Sequence, residues 1–193
     1  MSLTTKLLAV NTILSTIGSA PVNSLDQTSA DASIAELILE EISREIQSRG
    51  WHFNTEFDVP LTRNGDNKIP VGANVLKMDI NDEHTNVNPV VRGTFLYDVK
   101  NRTYVYSDNL KATVIYLLDF TELPEAARRL ATVRAARVFQ DRYFSADNIH
   151  AYTREDELRA LTMLEQAEIE TGDYNMLDHN DAARRRLPYN RGN

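Results

Sequence analysis

The chain has no cysteine among its 193 residues, which excludes disulfide bonds and thiolate metal sites. No apolar run approaches the roughly 20 residues that a membrane-spanning helix needs, and the N-terminus lacks a cleavable signal pattern. We therefore expect no membrane partner, and a protein made in the cytosol that stays there or joins a larger assembly. The length suits one domain, or one domain with an inserted subdomain.

Sequence patterns typical of catalysis are also absent. There is no nucleophile elbow, phosphate-binding loop or dinucleotide fingerprint, and no two histidines share a helix face at zinc-binding spacing. We therefore predict no catalytic residue, no cofactor and no metal site. One alternative stays open, because the carboxyl pair of a glycoside hydrolase is defined by a spatial separation of about 5–9 Å that sequence does not reveal. The chain has 28 acidic residues, so some pair is expected by chance.

The formal net charge is −7, which disfavours general binding to nucleic acid because affinity for the phosphate backbone comes from lysine and arginine. The charge is unevenly distributed. Residues 123–142 are rich in arginine, residues 145–181 are acidic, and residues 182–193 are basic again. Two interpretations remain: the basic and acidic segments pair within one subunit, or they form complementary faces that meet in an oligomer.

Residues 34–61 contain the strongest periodic signal. Apolar residues first recur at helical spacing, Gly50 then ends the predicted helix, and alternation typical of a strand follows. Trp51, the only tryptophan, is predicted to join the helix to the sheet, next to Phe53. The predicted helix face consists of Ile34, Leu37, Ile38, Ile42 and Ile46, and either Ser29 or Asp31 is expected to cap this helix.

Three further helices are predicted. The first covers residues 3–17 and ends at Gly18, with Leu3, Leu7, Val10, Leu14 and Ile17 as its apolar stripe. The third begins at Pro124 and runs to about residue 144. The fourth covers about 148–171, starts near Ser145 and Asp147, and ends at Gly172, with Leu158, Leu161, Leu164 and Ile169 as its apolar positions.

Residues 51–118 alternate β-branched and aromatic runs with turn residues, and five strands are expected at 51–61, 74–80, 90–99, 103–106 and 111–118. The sequence predicts an α+β protein: a four-helix bundle with a small antiparallel β subdomain inserted between helices two and three, and an extended C-terminal arm. The expected segments are 1–50 and 119–172 for the bundle, 51–118 for the β subdomain, and 173–193 for the arm.

Three stretches together resemble a known family. The first is residues 10–14 (Val-Asn-Thr-Ile-Leu), continuing through Ile17-Gly18 to residues 21–25 (Pro-Val-Asn-Ser-Leu). The second and most specific is residues 44–54 (Arg-Glu-Ile-Gln-Ser-Arg-Gly-Trp-His-Phe-Asn), and the third is residues 174–178 (Tyr-Asn-Met-Leu-Asp). In this order and spacing, the chain resembles the tail tubular protein A family of short-tailed bacteriophages.

The resemblance implies a structural virion protein, a head-to-tail adaptor. It implies a ring of twelve copies beneath the portal protein, with the tail nozzle on the far side and DNA passing through the bore during ejection. An acidic chain suits such a conduit, because a bore with few cations lets DNA slide. The implied localisation is the virion tail, after assembly in the host cytoplasm.

Residues of two kinds are expected to carry this role. Most matching positions are interpreted as structural core: Ile13, Leu14, Ile42, Ile46, Trp51 and Phe53. The arm is expected to contact other proteins through Tyr174, Met176, Leu177, Arg184, Arg185 and Arg186. The alternative to the adaptor is a tail-associated hydrolase acting on glycan of the host cell surface, using carboxylates with Trp51 and the sheet tyrosines.

Overall fold

The structure is a computed structural model that describes residues 3–26, 29–81, 86–143 and 152–179, with side chains as far as residue 171. Within these residues the chain forms four α-helices and five β-strands, which confirms the predicted α+β class. The helices are α1 (Lys6–Ser15), α2 (Ala30–Gln47), α3 (Glu125–Tyr143) and α4 (Arg154–His179). The strands are β1 (Thr55–Leu61), β2 (Val75–Ile80), β3 (Pro89–Arg92), β4 (Phe95–Asp98) and β5 (Leu110–Tyr116).

Helix α1 is shorter than predicted. The Thr5 side chain caps it by accepting a hydrogen bond from the backbone N–H of Leu8, so Leu3 lies outside the helix and is exposed. At the other end, Gly18 adopts a φ of 71°, a left-handed conformation that suits glycine. The N–H of Ser19 then donates to the carbonyl of Leu14 at 3.2 Å, which closes the helix end as expected.

Helix α2 begins at the cap residue Ser29, the first of the two predicted caps, whose side chain accepts from the N–H of Ala32. The predicted apolar face is wrong in part, because Ile34 and Leu37 are exposed. Because successive residues are rotated by roughly 100° around a helix, Leu37 and Leu39 lie on different sides of α2. The core lies on the side of Leu39. The buried face consists of Ala32, Ala35, Ile38, Leu39, Ile42 and Ile46.

The predicted strand at 51–61 is also only partly correct. Residues His52–Asn54 form a 3₁₀ turn, and β1 starts at Thr55. Within β1 the register against β5 shifts between Glu56 and Val59, and Phe57 is exposed although strict alternation would place it with Val59 and Leu61. A bulge, which changes the face on which following side chains lie, explains the difference.

The main sheet is antiparallel, with strand order β1-β5-β2, and a separate hairpin pairs β3 with β4. The predicted strand at 90–99 is this hairpin, folded at residues 93–94, and the predicted strand at 103–106 contributes isolated bridges instead. Asp98 and Thr103 exchange both backbone hydrogen bonds, at 2.8 and 3.2 Å, which closes a turn between them.

Helices α3 and α4 pack against each other, and α4 is longer than predicted. Helix α3 starts at Glu125, directly after Pro124, as expected. Helix α4 starts at Arg154 behind the capping residue Thr153, whereas the predicted start at Ser145 and Asp147 falls outside the described residues. Gly172 does not end α4, which continues to His179, so the first residues of the predicted arm are helical.

Two apolar clusters fill the interior. The larger one is formed by the helices and reaches Trp51 and Phe120. The smaller one lies among the strands and includes Leu61, Ile69, Leu96 and Val114. Helix α3 contacts each of the other three helices, so it is the central element of the larger cluster.

Candidate assembly interface

Two buried amides connect the end of α2 to the sheet. The N–H of Leu118, just beyond β5, donates to Oε1 of Gln47 at 2.8 Å, and Nε2 of Gln47 donates to the Leu118 carbonyl at 3.2 Å. Asn54 donates through Nδ2 to the carbonyls of Gln47, at 3.0 Å, and Tyr116, at 2.8 Å. Both side chains are buried, and their bonds satisfy backbone groups at the junction, including those of the half-buried residues Tyr116 and Leu118.

Trp51 lies at the same junction. Its indole Nε1–H donates to the carbonyl of Ile46 at 2.7 Å, and its ring is stacked 6.4 Å from that of Phe53. Gly50 has a φ of 77°, and a Cβ atom there would meet Cδ1 of Ile115 on β5 at 2.6 Å. A side chain at position 50 would therefore be strained by the positive φ and would also require the Ile115 side chain to move, so the helix end packs closely against the sheet.

The basic and acidic helices are paired within one subunit. Glu157 of α4 accepts from Arg137 at 2.8 Å and lies 3.3 Å from Arg134, both on α3. Arg134 also reaches Glu45 of α2 at 2.8 Å. Of the two interpretations that the sequence left open, the geometry selects pairing inside the subunit, and these residues join α2, α3 and α4.

Arg128 of α3 is a buried cation held by carbonyl groups. Its guanidinium donates to the carbonyls of Leu123 and Thr4, both at 2.8 Å, and to that of Thr121. Glu125 accepts from both the hydroxyl and the backbone N–H of Thr4, and these bonds lower the pKa of the Glu125 carboxyl. The segment before α1 is thereby attached to the start of α3.

Large apolar side chains remain exposed on both the helices and the strands. Such side chains are normal where they occur singly, and they mark surfaces suited to protein contact where they form contiguous patches. The most exposed are Phe57 at 69%, and Leu37 and Met163 at 65% each. The others are Leu3, Leu8, Ile34, Val90, Val91, Val99, Tyr104, Val105, Tyr143, Leu158 and Ile169. The exposure of Leu158 and Ile169 contradicts the predicted apolar face of α4, in which Leu164 is the buried leucine.

A cleft of about 340 Å³ lies between α2 and the segment after β5, and it contains charged groups of both signs. Lys6 binds Glu36 and Glu40, both at 2.7 Å. Asp119 accepts from the side chain and backbone of Thr121, which lowers the pKa of the Asp119 carboxyl. A glycosidase needs an acid whose pKa is raised, and the pKa of the Asp119 carboxyl is shifted in the opposite direction.

In the described parts of the chain, no three His, Cys, Asp or Glu side chains are grouped so that they could hold a metal ion. None of the helices, over the same residues, combines the length and hydrophobicity required to cross a bilayer.

The residues singled out from sequence fall into two groups. Ile13, Leu14, Ile42, Ile46 and Trp51 are buried, and Phe53 is half-buried against the same cluster. For the predicted arm contacts, residues 174, 176 and 177 lie in α4 beyond the last described side chain, and Arg184, Arg185 and Arg186 lie outside the described residues.

Sequence reasoning missed three residues that the geometry makes prominent: Gln47, Asn54 and Phe57. Gln47 is the last residue of α2, and Asn54 directly precedes β1. A polar amide side chain at such a position could have suggested a hydrogen bond between the helix and the sheet. Phe57 is exposed because of the bulge, and the alternating pattern of the β1 sequence does not predict that bulge.

Comparison with known proteins gives two matches. A family model described as "Tail tubular protein" matches residues 7–174, which include all four helices in whole or part and all five strands. The chain is also similar to tail tubular protein A of Klebsiella phage KP34, with 27% identity over 151 residues. That alignment covers 77% of this chain and 79% of the relative.

Proposed function

Because this chain belongs to the tail tubular protein family, and so is a structural component of a bacteriophage tail, we propose that it is a head-to-tail adaptor. In this role, twelve copies form a ring between the portal protein and the tail nozzle, and the DNA leaves through its bore. The protein is assembled in the host cytoplasm and resides in the virion.

The exposed apolar side chains are the observation that carries this proposal. A ring needs heterologous contacts, in which two different patches of each copy meet repeatedly around a closing rotation. Phe57 on β1 and Leu37 on α2 are both mostly exposed, and they belong to the sheet and to the helices respectively. The buried Gln47 bonds hold these two regions in fixed orientation, as surfaces of a rigid ring would require.

The arginine side chains of α3 are already bound within the chain, which supports the proposal that DNA passes without being bound. Arg134, Arg137 and Arg142 each reach a glutamate of the same chain. Arg128 is buried among carbonyls, and the guanidinium of Arg129 lies 5.6 Å from the centre of the Tyr152 ring. Cations that are already paired contribute little to affinity for the phosphate backbone. Helix α3 therefore has few groups available to bind DNA.

We also propose the finer architecture. The helical segments 1–50 and 119–172 form a bundle, and residues 51–118 form a β subdomain inserted into it. The separation of the interior into one cluster among helices and another among strands supports this division. Residues 173–193 act as the arm that contacts other tail proteins, through Tyr174, Met176, Leu177, Arg184, Arg185 and Arg186.

We propose that this role involves no catalysis. The hydrolase alternative needs a carboxylic acid that stays protonated near neutral pH, and Asp119 in the cleft beside α2 is shifted in the opposite direction. Incubation with capsule or peptidoglycan fragments distinguishes the two functions. Release of reducing ends by the purified protein would support the hydrolase.

Electron microscopy of the purified chain mixed with its portal protein tests the adaptor proposal. Class averages are expected to contain a second ring stacked on one face of the portal. Portal rings that remain bare at saturating chain concentration would contradict it.

A further inference from the structure

Helix α4 continues past the end of the helix on which it packs. Near the start of α4, Glu157 accepts from Arg137, which lies in the second half of α3. Further along, Met163 lines a pocket with Glu125, the first residue of α3. Helix α4 thus runs toward the start of α3, reaches it at about Met163, and then continues to His179.

The segment 165–179 also lies beyond the larger apolar cluster. Leu164, which is 1% exposed, is the last buried side chain among those described in α4. The side chains of residues 165–171 are half-buried or exposed, and Ile169 is 63% exposed. At 1.5 Å per residue the segment is about 22 Å long. A long part of this helix is therefore present without a buried apolar side chain among those that the structure describes.

Among the described side chains of this segment, two polar contacts reach the rest of the chain. The Glu165 carboxylate lies 3.5 Å from the guanidinium of Arg49, and both side chains are about half exposed. Glu168 accepts a hydrogen bond from the backbone N–H of His52 at 2.5 Å. Exposed polar contacts contribute little to stability, because water competes for the same groups.

Both contacts end at the junction between α2 and the sheet. Arg49 and His52 flank Trp51, and the Arg49 guanidinium lies 5.0 Å from the centre of the tryptophan ring. His52 begins the 3₁₀ turn that leads into β1. Departure of the segment would remove one carboxylate partner from Arg49 and one from the His52 N–H.

The segment has little stability of its own. An isolated helix of about this length is marginal in water, because most helical stability in proteins comes from the packing of an apolar face. Gly172 lies inside the segment, and glycine weakens a helix interior relative to alanine. The first part of α4, in contrast, packs Ala160 and Leu164 into the larger cluster. Different interactions thus hold the two parts of one helix.

We propose that residues 165–179 form a latch, which closes on Arg49 and His52 in the free chain and opens while the rest of the fold stays intact. Local opening of this kind is expected where few apolar contacts are buried. This inference rests on the proposed C-terminal arm and extends it, because the releasable part begins directly after Leu164. In the assembled tail, the open segment is the part that reaches a neighbouring subunit.

Hydrogen exchange of the free full-length chain, followed by mass spectrometry, measures the opening. Amides of residues 165–179 are expected to exchange at least a hundredfold faster than those of residues 127–139 of α3, which lie in the larger cluster. The variant E165A/E168A is expected to speed exchange of the segment at least threefold further and to keep the melting temperature of the wild type. Alanine favours a helix at least as much as glutamate, so the faster exchange reports the lost contacts.

The matched control is Q166A/E170A. These two residues lie in the same segment, and the hydrogen bond from Gln166 to Glu170, at 3.3 Å, stays within α4. The control also replaces two long polar side chains by alanine, but it leaves both contacts with the junction in place. Its exchange is expected to stay within twofold of the wild type.

A reversible lock tests whether opening is needed for assembly. The chain has no native cysteine, so R49C/E165C carries only two thiols. A short bismaleimide that contains a cleavable disulfide joins them and holds the latch closed. With portal protein present, the locked chain is expected to form rings at least tenfold less efficiently than the same chain after reduction, as measured by mass photometry.

The outcomes separate this inference from the adaptor proposal. Exchange of the segment as slow as that of α3, or equal exchange in E165A/E168A and in the control, overturns the latch. A lower melting temperature of E165A/E168A also overturns it, since the segment would then belong to the cooperative fold. Equal ring formation by the locked and the reduced chain overturns its role in assembly. If neither the reduced chain nor the wild type forms a ring, the adaptor proposal fails, and the exchange results alone decide the latch.

Discussion

The side chain of Gln47 at the end of α2 forms a two-bonded pair with the backbone of Leu118, accepting from its N–H at 2.8 Å and donating to its carbonyl at 3.2 Å. The Gln47 side chain is buried, and Leu118 is half-buried. The residues lie 71 positions apart in the chain. A single amide therefore connects the last turn of the second helix to the exit of the last strand.

Gln47→Leu is expected to destabilise the protein by about 1–3 kcal/mol, because it removes the side-chain partners of the backbone N–H and carbonyl of Leu118. Urea unfolding measures the change. Gln166→Leu is the matched control, since Gln166 is exposed on α4 and its loss should alter stability by less than about 0.5 kcal/mol. Equal midpoints for the two variants would show that the amide pair is dispensable.

Trp51→Ala is expected to cost about 3–5 kcal/mol through loss of the buried ring. Trp51→Phe keeps an aromatic ring but leaves the Ile46 carbonyl without its indole donor, and it should cost about 1–3 kcal/mol. Circular dichroism during thermal unfolding gives both values. An unchanged melting temperature for the alanine variant would refute the role of Trp51 at the junction.

Asp98 should make stability depend on acid pH. Burial alone would raise its carboxyl pKa, but hydrogen bonds from Asn88, Asn101 and Lys100 outweigh burial and hold the pKa below its ordinary value of 3.8. A lowered folded pKa means that the stabilisation is complete above the unfolded pKa and is lost as the pH falls through the folded one.

Asp98→Asn is therefore expected to cost about 2 kcal/mol at pH 7 and progressively less below the ordinary value of 3.8. Urea unfolding across this pH range supplies the comparison. The control Asp108→Asn, at an exposed turn residue, should match the wild type throughout. A deficit of Asp98→Asn that stays constant down to the lowest pH would contradict this explanation.

Removal of residues 180–193 tests the proposed arm. The two apolar clusters lie within residues 9–164, so truncation after His179 is expected to leave the melting temperature unchanged. Docking to the portal or nozzle protein, measured by co-sedimentation, should weaken. If the shortened chain is insoluble, the segment belongs to the fold and not to an interface.

Sequence periodicity predicted the existence and type of the long elements, because the helices have apolar residues at helical spacing and because Gly18 and Gly50 follow the ends of the first two helices. It failed where tertiary context decides. The exposure of Leu37 and Leu158 depends on which side of each helix meets α3, and the continuation of α4 past Gly172 overrides a residue that usually ends helices.

The candidate interface was harder to foresee than the fold. Pairing between Arg137 and Glu157 was one of two arrangements that the charge distribution allowed, and only the packing of α3 on α4 selects it. Phe57 reads as a core residue in a regular strand, and the bulge that exposes it arises from pairing with β5, which is distant in sequence. Long-range register is information that local patterns do not contain.

Mass photometry of the purified full-length chain, alone and with its portal protein, tests the adaptor role most directly. Each copy has a mass of 21.9 kDa, so ring formation should give a discrete species at a high multiple of this value, or a matching gain in mass of the portal. A chain that remains strictly monomeric and never adds to portal rings would contradict the proposal that it is a structural ring of the phage tail.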